Sequence, residues 1–412
     1  MIPKLDKYKK QWEIESDDAI KPGLEAVQQA LVQMGNPERG LPIIHVAGTN
    51  GKGSTIAFME EILHQHSFST AVFSSPALLD IHDQIRLNGQ PISPEKLNAS
   101  FKLMKEAGLS GRLTDFELLT VAALVSFKQF APNFILLETG MGGELDSTNV
   151  VTPVVSVITS IALDHTAFLG KTLEKVAEHK AGIIKSGVPV VIGPLPKEAL
   201  KVAQRVATKK NSYLFTYGED FHLDVKDVFE GINTYRLKGR KMKGPHQGVN
   251  AAVAIEALLA AGITLKEEKV VAAIATTQLS FRFQEISSGV FMDGAHNPAA
   301  AKVLAETIRL EFPGEKVDFV IGMLKGKDIE RTLNELVPVA ATFTFVTFPH
   351  PQAEKAENLM KYCHHEKKKM TNDSHDTILL LQGGKRRLII TGSLYFLSGL
   401  MDYKMIEIVS KK

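Results

Sequence analysis

The stretch Ile43-Ile44-His45-Val46-Ala47-Gly48-Thr49-Asn50-Gly51-Lys52-Gly53-Ser54-Thr55 decides how the first half of the chain is read. A short apolar run stops at a glycine-dense turn carrying one lysine. Ser54-Thr55 then opens an apolar-periodic segment from Ile56 to Leu63. Strand, glycine loop and helix start is the layout of a phosphate cradle. Glycines let backbone N–H groups turn inward, while the helix N-terminus and the lysine supply positive charge. The generic pattern G-x-x-x-x-G-K-[ST] is not matched letter for letter, because Gly53 separates Lys52 from Ser54. A bare glycine loop is in a minority of cases only a structural turn. The preceding strand, the lysine, the hydroxyl pair and the following helix favour the cradle.

Working outward, Phe134-Ile135-Leu136-Leu137-Glu138 is an apolar run ending in a carboxylate and followed by Thr139-Gly140-Met141-Gly142-Gly143. Residues 154–158 repeat the pattern before Leu163-Asp164-His165, and residues 70–73 form a shorter run that breaks at Ser74-Ser75-Pro76. Runs that are apolar throughout are strands covered on both faces, and their alternation with helices predicts a parallel sheet. Ligands in such sheets sit beyond the carboxyl ends of the strands. The Lys52 loop, Ser75, Glu138 and Asp164-His165 each follow such a run, so the pattern places all four at one rim. Residues 77–91 lack periodicity and read as a long functional loop, or one with a small hairpin. Helices are predicted over residues 94–107, 116–130, 173–185, 198–207 and 247–261, the last containing Asn250. Residues 212–242 read as antiparallel strands appended to the first sheet.

A second α/β series begins after the stretch 279–288, which reads as a linker. Residues 290–293, 317–321, 342–347 and 387–391 are predicted strands; residues 299–310, 328–336, 376–381 and 394–401 are predicted helices. The fold class is therefore α/β in two domains. An N-terminal P-loop NTPase-like domain (residues 1–278) has a mainly parallel sheet with a small antiparallel addition. A smaller Rossmann-like domain follows (residues 289–412).

Two domains also suit a chain of 412 residues. Hydrophobic residues make up 44% and charged residues 23%, ordinary for a globular protein with sizeable cores. With 48 basic and 46 acidic residues the formal charge is +2, which asks for neither nucleic acid nor an anionic membrane. The single cysteine, Cys363, excludes an internal disulfide and a cysteine-rich zinc site, and fits a reducing compartment. No signal-like segment and no bilayer-spanning apolar run is present, so a cytoplasmic location is expected.

A phosphate cradle says only nucleotide; the groups beside it decide the chemistry. Mg²⁺ takes oxygen ligands, and Ser54 is the first choice beside the phosphates. Glu138 ends a buried strand, where it either pairs with a basic group or holds a cation; the cation is favoured. His165 is a turn histidine by itself and a ligand or orienter by its place at the rim. Lys180 in Glu178-His179-Lys180-Ala181-Gly182 reads from spacing alone as a surface lysine. Asp293-Gly294-Ala295-His296-Asn297-Pro298 is either a capped turn or a polar rim facing the first domain's nucleotide, with Arg282 able to reach phosphates from the linker. No nucleophile elbow and no kinase motif set is present.

Taken together, these residues resemble the folylpolyglutamate synthase and dihydrofolate synthase family, within the ATP-dependent Mur-type ligases. The resemblance covers nearly the whole chain. It rests on Gly48-Thr-Asn-Gly-Lys-Gly-Ser54, Ser75-Pro76 with Ile85-Arg-Leu-Asn-Gly89, Glu138-Thr-Gly-Met-Gly-Gly143, Asp146-Ser-Thr-Asn149, Asp164-His165, Lys180-Ala-Gly-Ile183, Asp293 to Pro298, Lys327-Asp328 and Thr391-Gly-Ser-Leu-Tyr395. The inserted Gly53 is the family's own form. The resemblance implies ATP held between two domains, γ-phosphoryl transfer to a carboxylate, and attack of the L-glutamate amine on the acyl phosphate. It assigns ATP to Gly48, Thr49, Asn50, Gly51, Lys52, Gly53 and Ser54 with Asn250, Arg282 and Asp293. Ser54, Ser75 and Glu138 match one Mg²⁺ site and His165 a second, and Lys180 matches the lysine that the family carbamylates to orient a metal. Catalysis thus falls to Lys52, Lys180, His165 and Glu138. Asp146, His296 and Ser393 match substrate positions, His296 and Ser393 on the glutamate side. A monomer acting on ATP, L-glutamate and dihydropteroate or a reduced folate is expected. The alternatives are a Mur-type ligase for a cell-wall precursor and a P-loop NTPase without ligase activity. The chain departs from the family at Ala77, Asp83-Gln84-Ile85, Glu144 and Ser280-Phe281-Arg282.

Overall fold

The structure is a computed structural model of the chain, and it describes residues 2, 4–17, 23–78, 80–371, 378 and 386–402. The chain forms two compact units. The first comprises Met1–Arg240 and Gly248–Thr277; the second takes Lys241–Gln247 and everything from Gln278 onward.

An eight-stranded sheet organises the first unit. Its order is Leu214–Thr216, Val190–Ile192, Val155–Ile158, Ile43–Ala47, Phe134–Glu138, Thr70–Phe73, Ile85–Leu87 and Gln90–Pro91. The first six strands run parallel, Ile85–Leu87 runs antiparallel to them, and Gln90–Pro91 turns back antiparallel to Ile85–Leu87. The four strands Ile43–Ala47, Thr70–Phe73, Phe134–Glu138 and Val155–Ile158 are buried almost end to end, as their unbroken apolar spelling requires. On one face Ile43, Phe73, Ile135 and Leu137 pack with Phe101, Leu118 and Phe127. Beside them the helix Asp115–Phe130 is started by a capping box, in which Thr114 and Glu117 exchange side-chain and backbone hydrogen bonds. From Ile43–Ala47 the chain crosses to Thr70–Phe73 on one side, and from its neighbour Val155–Ile158 it moves on to Val190–Ile192 on the other, which makes the carboxyl ends of these two strands a topological switch point.

The loop at residues 77–91 contains the small hairpin, Ile85–Leu87 against Gln90–Pro91, turning at Asn88-Gly89. Residues 212–242 depart from expectation. Leu214–Thr216 extends the parallel sheet, but His222–Leu223, Val228–Glu230 and Thr234–Arg236 form a separate three-stranded antiparallel sheet. Phe229 explains the separation. It packs between Phe221 and Tyr235 and gives these strands a core of their own.

The second unit is built on a six-stranded sheet in the order Gln284–Ser287, Val290–Asp293, Leu388–Gly392, Val317–Gly322, Ala340–Val346 and Lys368–Thr371, parallel except for the first pair. The stretch 279–288, expected as a linker, is thus corrected: Gln284–Ser287 is an edge strand, with Phe283 in the core beside Phe291 and Phe312. The helix expected over 376–381 lies, Ile378 apart, outside the described residues. Gly392 adopts φ +114°, and a Cβ there would run into the carbonyl of Gly322 on the neighbouring central strand. Gly392→Ala is therefore expected to destabilise this unit by about 3 kcal/mol, because neither backbone can yield. Thermal denaturation checks it, and an unchanged Tm overturns it.

Candidate active site

The glycine loop is pinned by the residues that follow the neighbouring Val155–Ile158 strand. Thr159 N donates to Ala47 O at 2.9 Å, and Thr49 N donates to Ser160 O at 2.9 Å. The hydroxyls of Thr159 and Ser160 both donate to Asn50 O, at 2.7 and 2.9 Å, and Ala162 N donates to Thr49 Oγ1 at 3.0 Å. Gly51 caps the helix Lys52–Gln65 with φ +88°, and a Cβ on it would lie 2.5 Å from Asn250 Oδ1. Only glycine fits that backbone and that approach. The loop is thereby a preformed cradle, with Ser54 and Thr55 buried in the first turn of the helix.

Lys52 reaches back over the loop. Its Nζ donates to Gly48 O at 3.0 Å and stands 3.8 Å from Glu138 Oε1. The carboxylate that ends the Phe134–Glu138 strand therefore has the basic neighbour its burial requires. Phe73 and Leu137 are register partners, so Ser75 and Glu138 leave adjacent strands at the same rim. His165 follows at the N-cap of the short helix Thr166–Leu169, its Nε2 4.0 Å from Asp164 Oδ2, with its side chain nearly half exposed.

Lys180 is not a surface residue; it is 3% exposed, near the end of the helix Leu173–Ala181. Glu144 N donates to His179 O at 2.6 Å, which docks this helix on the loop after Glu138. Burial pushes the Lys180 amine down to about 7, the Lys52 charge pushes the same way, and Asp164 and Asp146 pull against it. Asp146 is itself buried. Burial raises its carboxyl above the usual range, against hydrogen bonds from Thr148, Met141 and Gly140. A Cβ at Gly140 would meet the Phe116 ring at 2.6 Å and Asp146 Oδ2 at 3.3 Å, so both groups close in on Gly140, and the Phe116 ring stacks on Phe73.

The first unit thus brings together the Gly48–Ser54 loop, Asn250, Ser75, Glu138, Asp164-His165, Lys180 and Asp146. Arg282, Asp293, His296 and Ser393 form their own group at the carboxyl ends of the second sheet. Asp293 accepts from Phe283 N and Ala295 N, both at 2.9 Å. Burial raises its carboxyl, and the Arg282 guanidinium opposes that most strongly. Phe281 and Phe283 both adopt left-handed backbone around Arg282, a costly conformation for phenylalanine. Ser393 N donates to Gly322 O at 2.8 Å, and Tyr395 stacks on His350 at 4.8 Å. Sequence reasoning passed over His350, which nothing marks, and Thr159 and Ser160, whose only signal is their place at a strand end.

Comparison with known proteins decides the family. A model of the Mur ligase middle domain matches residues 46–258, and one of the dihydrofolate synthetase C-terminal domain matches residues 277–403. The dihydrofolate synthase/folylpolyglutamate synthase of Bacillus subtilis is 33% identical over 410 residues, covering 92% of this chain and 94% of its own. The chain belongs to the dihydrofolate synthase/folylpolyglutamate synthase family. Two solved members agree with its fold. Escherichia coli FolC in complex with DHPP and ADP is 31% identical and superposes with a TM-score of 0.89, over 100% of this chain and 99% of that one. A bifunctional folylpolyglutamate synthase/dihydrofolate synthase with Mn, AMPPNP and L-glutamate bound is 30% identical, with a TM-score of 0.84 over 93% and 95%. As a family member the chain is an ATP-dependent, ADP-forming ligase. No helix among the described residues is long and apolar enough to cross a membrane.

Proposed function

We propose that this synthase joins L-glutamate to the carboxylate of dihydropteroate or a reduced folate, through an acyl phosphate. The observation that carries it is the Lys52–Glu138 pair beside the preformed glycine cradle, with a buried amine, Lys180, near neutrality next to it. Lys52 and the loop N–H groups hold the phosphates of ATP, and Asn250, Arg282 and Asp293 contact the nucleotide. An acceptor carboxylate oxygen attacks the γ-phosphorus and ADP leaves; the glutamate amine then attacks the acyl carbon and inorganic phosphate leaves. Positioning and charge do most of this work, since little covalent chemistry falls to the protein.

Hydroxyl oxygens of Ser54 and Ser75 with the Glu138 carboxylate are a donor set that suits Mg²⁺, and His165 is assigned to a second ion. Such ions would polarise the transferring phosphoryl group and neutralise charge on it. No cluster of three or more His, Cys, Asp or Glu arranged for a metal occurs among the described residues. Lys180 is assigned as a carbamate: an amine lowered to about 7 has a substantial unprotonated fraction near neutral pH, and only that form attacks CO₂. Asp146, in the loop after Glu138, is assigned to the acceptor; His296 and Ser393 to glutamate. The working form is a cytoplasmic monomer.

Phosphate release tests the reading. With ATP, Mg²⁺ and L-glutamate, release is expected on adding dihydropteroate or tetrahydrofolate and is absent when any component is left out. If neither acceptor supports release while a peptidoglycan precursor does, the assignment is overturned.

A further inference from the structure

His45 sits in the middle of the central Ile43–Ala47 strand, with no exposed surface. A histidine there is costly, because a buried polar group without partners loses its hydration for nothing. The functional assignments above leave it unused. Its surroundings explain its presence. Thr148 Oγ1 donates to Asp146 Oδ1 at 2.5 Å, and Thr148 N donates to the same oxygen at 3.1 Å. Met141 N donates to the other oxygen, Oδ2, at 2.7 Å. The threonine hydroxyl has one proton, and the carboxylate takes it. Thr148 Oγ1 can then only accept from His45 Nε2, 2.9 Å away. The chain therefore has one direction: His45 Nε2–H to Thr148 Oγ1–H to the Asp146 carboxylate.

That direction specifies the imidazole. Nε2 carries the proton, and Nδ1 is a bare lone pair, buried and without a hydrogen-bond partner among the described residues. Burial, then the Lys185 charge, hold the ring neutral, its pKa lowered to about 3. An isolated strand histidine would gain nothing from this arrangement. A histidine whose one proton starts a chain ending on a buried carboxylate has a task.

We propose that His45, acting through Thr148, is a positioning residue that holds the Asp146 carboxylate in the orientation that meets the folate-type acceptor. The inference rests on the assignment of Asp146 to the acceptor. His45 touches no substrate; it orients the threonine hydroxyl, and the hydroxyl fixes which way the carboxylate faces. Without the chain the carboxylate keeps the backbone N–H groups of Thr148, Met141 and Gly140, and Oδ1 loses the short hydroxyl bond that sets its direction.

Steady-state kinetics of Thr148→Val, Thr148→Ser, His45→Leu, His45→Gln and Asp146→Asn test it, with KM measured separately for acceptor, ATP and L-glutamate. Thr148→Val and His45→Leu are expected to raise the acceptor KM about tenfold, the loss of roughly one hydrogen bond to a charged group, with the ATP KM unchanged within about twofold. Thr148→Ser keeps the hydroxyl and His45→Gln keeps a donor near the Nε2 position, so both are expected to recover most of the loss. If Asp146→Asn impairs acceptor binding while Thr148→Val behaves as wild type, the relay is overturned and the Asp146 assignment stands. If Thr148→Ser is as impaired as Thr148→Val, or all three KM values rise together, the role is only structural and the proposal fails. If Asp146→Asn leaves the acceptor KM unchanged, it is the Asp146 assignment that fails.

Discussion

Lys52→Ala is expected to lower kcat by about 10³-fold while Tm falls by no more than a few degrees, the size of effect seen when a preorganised charge is removed from a transferring group. The side chain donates a hydrogen bond to Gly48 O, whereas Thr159, Ser160 and Ala162 hold the loop by several others. The cradle therefore keeps its shape when the lysine goes. What changes is charge. Glu138 loses the ammonium 3.8 Å away, and on the proposed reading the phosphates of ATP lose the cation that balances them. Lys180 is also released from a neighbouring positive charge, so its amine becomes easier to protonate and less ready to act as a neutral nucleophile. Phosphate release and thermal denaturation on the same preparation check both halves. Turnover within tenfold of wild type would mean that the loop does not serve phosphoryl transfer.

Lys180→Met is expected to raise stability and remove activity together. The folded amine titrates at about 7 against 10.5 for an exposed lysine. At about 1.4 kcal/mol per tenfold, that difference is a burial cost of roughly 5 kcal/mol at most. The sign follows from proton counting. Between 7 and 10.5 the unfolded chain binds a proton that the folded chain does not, so wild-type stability rises with pH through that window. The cost is fully present below about 7 and disappears above 10.5. Methionine fills the same volume without the charge, so its advantage is greatest at pH 7 and shrinks as pH rises. Denaturant titrations at pH 7 and pH 9.5, in bicarbonate-free buffer, measure it. A methionine variant less stable than wild type at pH 7 would show that the lysine is not held at a cost, and would remove the argument for a functional amine.

Much of this was legible in the sequence because it is spelled in contiguous residues. The runs at Ile43–Ala47, Phe134–Glu138 and Thr70–Phe73 became buried parallel strands, since an apolar stretch with no polar face has nowhere else to go. The three-stranded sheet over residues 222–236 was misplaced for the complementary reason. Its strands are two or three residues long, and whether they join the main sheet depends on where Phe229 packs, which periodicity does not encode. The stretch 279–288 failed in the same way. Its short polar strand is paired at an edge, where burial imposes no pattern.

The sequence by itself determined the cradle: a glycine loop between strand and helix presents its N–H groups through local backbone geometry, and Lys52 arrives within that same turn. It also determined which side chains leave strands at the carboxyl rim, because the sheet is parallel. Only the tertiary structure decided what Lys180 and His45 are. From spacing one was a surface lysine and the other a strand residue. Burial beside Lys52, Asp164 and Asp146, and a hydroxyl 103 positions away in the chain, change the protonation of the first and the purpose of the second. Desolvation and through-space charge belong to the packed environment, and no local stretch of residues carries them.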